Sequence, residues 1–354
     1  MDRREFLKST GAAAAAATTA VAVTGAATAE TALAAPAISK GLHELRLVMP
    51  WADGFAGPAD QAHRLGQRIV TMSEGRIRVV PSFGVVNGLA ALRSGEADLY
   101  FASEHDNLEA HRGLAYFAGL PGDHGLNPQH LQTWIGLGGG QVLWDELAAD
   151  LGVKPMLAAH TGSRSYLLAT ERVDAMSALA GRKAHVQGLA RDVARGLGLE
   201  PVSVAPAHLA EAMRTGDVLA AECGGAITSY ALGLHAAAPY WAGTSINRHG
   251  AALSLGISRA LWDRFSTADQ AMFAAAASAE FQLSLAEEEA HRPLLYPEPA
   301  AGQTWPLASE LSHAIRRVAD AIVAHTAGAD AQTRRINDSH AAFRRAAVGT
   351  DAIA

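Results

Sequence analysis

The chain has 354 residues, of which 49% are hydrophobic and 18% charged, and its formal net charge is −6. That balance excludes a basic nucleic-acid-binding surface and an electrostatic attachment to anionic lipid. A single cysteine, Cys223, excludes thiolate iron–sulfur ligation, c-type haem attachment and an intrachain disulfide.

The N-terminus reads as an address. Asp2-Arg3-Arg4-Glu5-Phe6-Leu7-Lys8 forms a twin-arginine export signal, followed by an alanine-rich, weakly apolar stretch from Gly11 to Gly25. That stretch falls short of the roughly 20 apolar residues a membrane anchor needs. Ala32-Leu33-Ala34 offers an A-x-A cleavage site, so residues 1–34 are expected to be removed and the mature protein to be soluble in the bacterial periplasm. Twin-arginine cargo is exported folded and often carries a cofactor. The lone cysteine argues against a redox centre, and no cofactor is expected. What remains is long enough for two lobes of ordinary domain size.

In chain order, the first clear unit is Leu89-Ala90-Ala91-Leu92-Arg93-Ser94-Gly95, a short helix with a glycine stop, which leads into the apolar strand Leu99-Tyr100-Phe101-Ala102. The tract from Asn127 to Gly162 follows. Leu131, Trp134 and Ile135 mark one helix, Gly138-Gly139-Gly140 a turn, and Val142, Leu143 and Leu147 a second helix. A strand over 154–159 then ends in His160-Thr161-Gly162. The triple glycine lacks the Lys-Ser/Thr of a phosphate loop and does not follow a strand, so it is a turn. A second helix–glycine–strand unit spans 209–221 and emerges into Glu222-Cys223-Gly224-Gly225, as the first emerges into Ser103-Glu104-His105. Ligands of open α/β sheets sit beyond the carboxyl ends of strands, so two such units facing each other would frame a cleft. The plainer reading is that any α/β protein repeats this pattern. A long alanine-rich helical run over 267–292 is expected to end at Pro293, and 308–327 and 330–347 read as terminal amphipathic helices.

The 127–162 tract resembles the substrate-binding proteins of tripartite ATP-independent periplasmic (TRAP) transporters, especially the 2-keto-acid type. There a Trp-containing helix likewise runs into Gly-Gly-Gly-Gln, Leu-Trp-Asp-Glu-Leu and Gly-Val-Lys-Pro. The resemblance extends over nearly the whole mature chain. It implies an α/β, two-lobed periplasmic-binding-protein (type II, Venus-flytrap) fold with a long helix spanning both lobes. Lobe I would take 35–165, lobe II 166–250, and 251–354 would return to lobe I with the long helix and the C-terminal helices. Strands at 43–49 and 76–81, a cleft loop at 51–58 and a helix at 59–73 follow from the same comparison. The implied function is a receptor that captures a small organic carboxylate, a 2-keto or hydroxy acid or related anion, and delivers it to the TRAP permease without chemistry. The C-terminal helices leave room for a homodimer.

The resemblance also assigns candidate ligand residues. The family's carboxylate-binding arginine matches His185, in Lys183-Ala184-His185-Val186-Gln187-Gly188. A neutral imidazole does not replace a guanidinium fork, so the cation is expected to have moved to Arg164, where the keto-acid type has glutamine. A structural arginine paired with Glu222 or Asp174 is the plainer alternative. Glu222-Cys223 stands in place of Glu-Trp, which puts Glu222 against a ligand hydroxyl or amine, or against an arginine. It also makes Cys223 a small wall residue or an inert buried thiol. Arg248, or a neighbour in Asn247-Arg248-His249-Gly250, matches a family glutamate; with Arg164 it would repel a bridging cation, so no metal is expected. Trp51 and Phe55 would close over an apolar ligand body or serve as packing. Glu104 and His105 would read a polar ligand tail. Among 15 histidines there is no H-E-x-x-H. The alternatives on the same fold are an exported enzyme using Glu222, His185 or Cys223, or a receptor feeding a sensor.

Overall fold

Two sheets carry the chain in the computed structural model, which describes residues 43–164, 167–242, 245–295, 304–305 and 309–348. The export signal and its cleavage site lie outside the described residues. Chain order begins with β1 (His43–Val48), α1 (Pro58–Met72), β2 (Ile77–Ser82), α2 (Gly88–Ser94) and β3 (Leu99–Ala102). Helices α3 (Pro128–Gly136) and α4 (Gly140–Ala149) precede β4 (Val153–His160). The second lobe follows: β5 (Leu167–Ala169), β6 (Lys183–His185), α5 (Ala190–Gly196), β7 (Glu200–Val202), α6 (Pro206–Arg214), β8 (Ala220–Glu222), α7 (Ala226–Ala231) and β9 (Tyr240–Ala242). The chain then returns through β10 (Ala252–Ser258), the long helix α8 (Thr267–Leu295), β11 (Thr304–Trp305), α9 (Ser309–Ala327) and α10 (Ala331–Val348).

The first sheet has the order β2-β1-β3-β10-β4 and the second β11-β9-β5-β8-β6-β7. β1 runs parallel to β2 and β3, and β10 lies antiparallel between β3 and β4. β3 is a continuous apolar run because both of its faces are covered, and β10 is buried along nearly its whole length with Ser254 and Gly256 between its apolar residues. In the second sheet β6 is parallel to β7 and β8, and β5 is antiparallel to β8 and β9.

The two helix–glycine–strand units fall one in each sheet. Asn87 caps α2 by accepting from Ala90 N–H at 2.9 Å, and Gly95 ends it at φ 79°, a conformation that disfavours a Cβ. α6 ends at Thr215-Gly216 and feeds β8.

The triple glycine is a packing device. Trp134 and Trp144, both wholly buried, each stack on Phe117, with centroids 5.3 and 4.6 Å away. For α3 and α4 to bring these rings that close, their connection must pass against the Trp134 backbone. A Cβ on Gly138 would approach that backbone at 3.0 Å, and one on Gly140 would meet the Ile135 Cα at 2.9 Å.

Helix α8 joins the lobes. Near its start, Phe273, Ala276 and Ala277 pack into the core under the first sheet. Farther on, buried Glu280 accepts from Arg64 of α1 at 2.7 Å. Glu288 then reaches the second lobe and accepts the Ala226 and Ile227 N–H groups at the start of α7. The expected stop at Pro293 is corrected, since the helix carries this proline and continues to Leu295. Its missing N–H costs only one bond in the final turn, where helices are already loosely held. Helix α9 packs Leu311, Ala314 and Ile315 into the second-lobe core, while Val323 joins the first-lobe core. Among the described residues no helix is long and apolar enough to cross a membrane.

Candidate ligand cleft

Strand ends converge on a cleft of about 590 Å³. From the first lobe, Trp51 and Phe55 reach it from the loop after β1, and Ser103, His105, Asp106 and Glu109 from the segment after β3. Trp51 is braced edge-on by Phe101, with centroids 6.0 Å apart. The second lobe contributes His185 to Gly188 after β6, Arg191 at the start of α5, Ser203 and Val204 after β7, and Glu222 and Cys223 at the end of β8. These are the carboxyl ends of parallel strands and the helix starts that follow them, where an α/β sheet leaves a crevice.

The lobes touch at two further places. Thr228 donates its hydroxyl to Ala56 O at 3.1 Å, and Arg112 pairs with Asp192 at 2.5 Å. Gly188, at φ 59°, brings backbone so close to His105 that a Cβ would lie 2.5 Å from the ring. That approach admits glycine alone.

His185 is buried, and its Nδ1 accepts the Val204 N–H at 3.2 Å. The proton of the neutral ring therefore sits on Nε2. Burial, reinforced by the nearby Arg191 charge, pushes its pKa down to about 4, so the imidazole is neutral at pH 7. Arg191 donates through Nη1 to Ser203 Oγ at 3.0 Å and Val202 O at 3.3 Å, and through Nη2 to Pro201 O at 3.2 Å. A guanidinium has five N–H groups, and three are used here, which leaves two for a ligand. Sequence reasoning missed this residue. The available signal was an arginine shortly after the Gly188 turn, in the first turn of the helix that follows the His185 strand.

Glu222 is 4% exposed and accepts the Ile246 and Asn247 N–H groups. Burial outweighs those bonds and raises its carboxyl to about 7. Cys223 lines the wall beside it, and burial raises its thiol to about 12, so it is uncharged at neutral pH. Asp106 opens onto the cleft. Desolvation there, with the Glu104 charge behind it, raises its carboxyl to about 7. His105 Nε2 donates to Gly119 O at 3.0 Å, and its Nδ1 has no partner among the described residues.

Of the residues singled out from sequence, Trp51, Phe55, His105, His185, Glu222 and Cys223 stand on the cleft wall, whereas Arg164, Arg248 and Glu104 do not. Arg164 is exposed beside the long helix, where its charge acts on Glu289; the neighbouring Ser163 donates to Glu289 at 2.5 Å. Arg248 is held by Asp123 at 2.6 Å. Glu104 is turned into the core, where it accepts from the Tyr100 hydroxyl and from Asn107 Nδ2, each at 2.7 Å. The arginines expected to repel a bridging cation are thus outside the wall.

The profile of the bacterial extracellular solute-binding proteins, family 7, matches residues 127–324, and that of the twin-arginine translocation signal matches residues 1–20. The chain is exported to the periplasm. A monocarboxylate 2-oxoacid-binding periplasmic protein of Nostoc sp. is 25% identical over 307 residues, covering 85% of this chain and 84% of that protein. A TRAP transporter solute-binding protein from Bordetella bronchiseptica, solved with calcium and picolinate, superposes with a TM-score of 0.80 at 20% identity, covering 89% of this chain and 95% of the other. One from Colwellia psychrerythraea with bound calcium and pyruvate gives 0.78 at 18% identity, covering 86% and 95%.

Proposed function

The chain belongs to the bacterial extracellular solute-binding proteins of family 7, and from that premise we propose that it captures a small organic carboxylate and delivers it to a TRAP permease. The observation that carries the ligand class is the pairing of Arg191 with neutral His185 on one wall of the cleft. The free edge of the guanidinium receives the carboxylate in a charge-assisted pair, and the His185 Nε2–H donates a further bond. The 2-oxoacid-binding relative supports the same class. Binding proceeds by lobe closure: a ligand that touches both lobes stabilises the closed form by its differential affinity. No chemistry is assigned to the site. Cys223 as an uncharged thiol supports that reading, because the nucleophilic form is the thiolate.

Calcium accompanies the acid in the two solved relatives. Here each oxygen of Glu222 accepts a backbone N–H group, and among the described residues no three His, Cys, Asp or Glu side chains stand together; the clamp proposed here uses no metal. The test is a thermal-shift screen of carboxylic acids against their own primary amides. The acids are expected to raise the melting temperature and the amides to leave it unchanged. Equal shifts from both would refute a carboxylate clamp.

A further inference from the structure

We infer that the solute carries a cationic nitrogen as well as a carboxylate, and that Asp106 receives that nitrogen. This rests on the carboxylate reading above and names the solute more narrowly. The two walls of the cleft have opposite character. The second-lobe wall bears Arg191 and the His185 donor, with its one carboxyl, Glu222, tied to the Ile246 and Asn247 N–H groups, while the first-lobe wall bears Asp106 and Glu109 with no cationic side chain between them. Asp106 is fixed in place by the short helical turn Glu104–Asn107, which Ser103 caps by accepting the His105 N–H at 3.3 Å. Among the described residues its carboxylate has neither a hydrogen bond nor an ion pair.

Closure decides between solutes. A simple oxo acid held by Arg191 would have its negative charge pressed toward a second, uncompensated carboxylate as the lobes met. An ammonium group on the same molecule turns that repulsion into a charge-assisted bond, and gives the ligand one anchor on each lobe, as closure requires. The raised Asp106 carboxyl is consistent with this: desolvation at the cleft, with the Glu104 charge behind it, penalises its charge, and no cation among the described residues pairs with it. A cleft of about 590 Å³ flanked by Trp51 and Phe55 also has room for a body larger than three carbons.

The test is isothermal titration of the mature protein at pH 8 in EDTA, with matched 2-amino, 2-hydroxy and 2-oxo acids on two skeletons: alanine, lactate and pyruvate, and phenylalanine, phenyllactate and phenylpyruvate. On the better-bound skeleton, the amino acid is expected to bind at least about tenfold tighter than the oxo acid. Asp106→Asn should erase that margin by weakening the amino acid. The wild-type series stands without the variant, so poor folding of Asp106→Asn does not protect the inference. It is overturned by an oxo acid that binds as tightly as the amino acid, by failure of both amino acids to bind, by a margin that survives Asp106→Asn, or by oxo-acid binding that appears only when calcium is restored. Phenethylamine separates this inference from the reading beneath it. If it binds as well as phenylalanine, the carboxylate clamp fails and the Asp106 assignment stands. If phenylpyruvate leads the series and Arg191→Ala abolishes its binding, the Asp106 assignment fails and the clamp stands.

Discussion

Replacing Arg191 by alanine tests the clamp most directly, and the structure sets the size of the effect. Three of the five guanidinium N–H groups are spent on Pro201, Val202 and Ser203, and the remaining two can face a carboxylate as a pair. Hydrogen bonds to charged groups contribute about 1.5–3 kcal/mol, so Arg191→Ala should weaken binding by roughly ten- to a hundredfold. Arg191→Lys should recover only part of this, because an ammonium keeps the charge and loses the fork. The same side chain also anchors the 201–203 loop, which Ser203→Ala separates from ligand binding. That variant removes one anchor and keeps the charge, and it should cost less than about threefold, below 1 kcal/mol. Isothermal titration with the acid found in the thermal-shift screen reads the affinities, and thermal unfolding of each variant checks that the fold survives. Wild-type affinity in Arg191→Ala, together with a loss of more than about tenfold in Arg164→Ala, would return the clamp to Arg164.

Three other outcomes follow from the same structure. With the His185 pKa near 4, the ring is neutral at both pH 6 and pH 8; His185→Ala should cost about three- to tenfold in affinity equally at both, and a clearly larger loss at pH 6 would reveal an imidazolium contact. Glu288 is raised to about 7, chiefly by burial, above its usual 4.5. The native state therefore holds the proton more tightly, and this carboxyl's contribution to stability falls as pH rises from about 4.5 to 7. Relative to wild type, Glu288→Gln should gain about 2 kcal/mol between pH 5 and pH 8 in denaturant unfolding; an unchanged difference would contradict the burial argument. Replacing Arg3 and Arg4 with lysine should leave the precursor in the cytoplasm, as read by fractionation, and normal periplasmic accumulation would show that another signal directs export.

Local chemistry made the fold legible. Gly95 and Gly216 stop helices ahead of apolar strands, and the tract around Trp134 and Trp144 shows its glycine turn in the order of residues alone. Pro293 was misjudged as a stop because the rule for proline describes helix interiors, and here the helix has only two residues left to run. The loops that form the cleft were legible for the same reason, since each follows a strand. What sequence order does not carry is the direction a long side chain takes once the elements are packed. Arg164 follows β4 as a cleft residue would, but the acidic end of α8 lies beside it, and Glu289 draws Ser163 and the Arg164 charge to that side. Glu104 follows β3 in the same way, and the Tyr100 hydroxyl and Asn107 turn it inward.

Arg191 shows the converse. Its spacing from the Lys183–His185 strand announces nothing until β6 and β7 pair in parallel. That pairing carries the Pro201–Ser203 backbone under the first turn of α5, where it takes one edge of the guanidinium. The positive charge then stands next to His185, close enough to depress the imidazole further. A cation that the resemblance places at position 185 can thus be supplied from position 191 across one strand–helix turn. The imidazole meanwhile keeps a donor in the wall that no longer depends on pH.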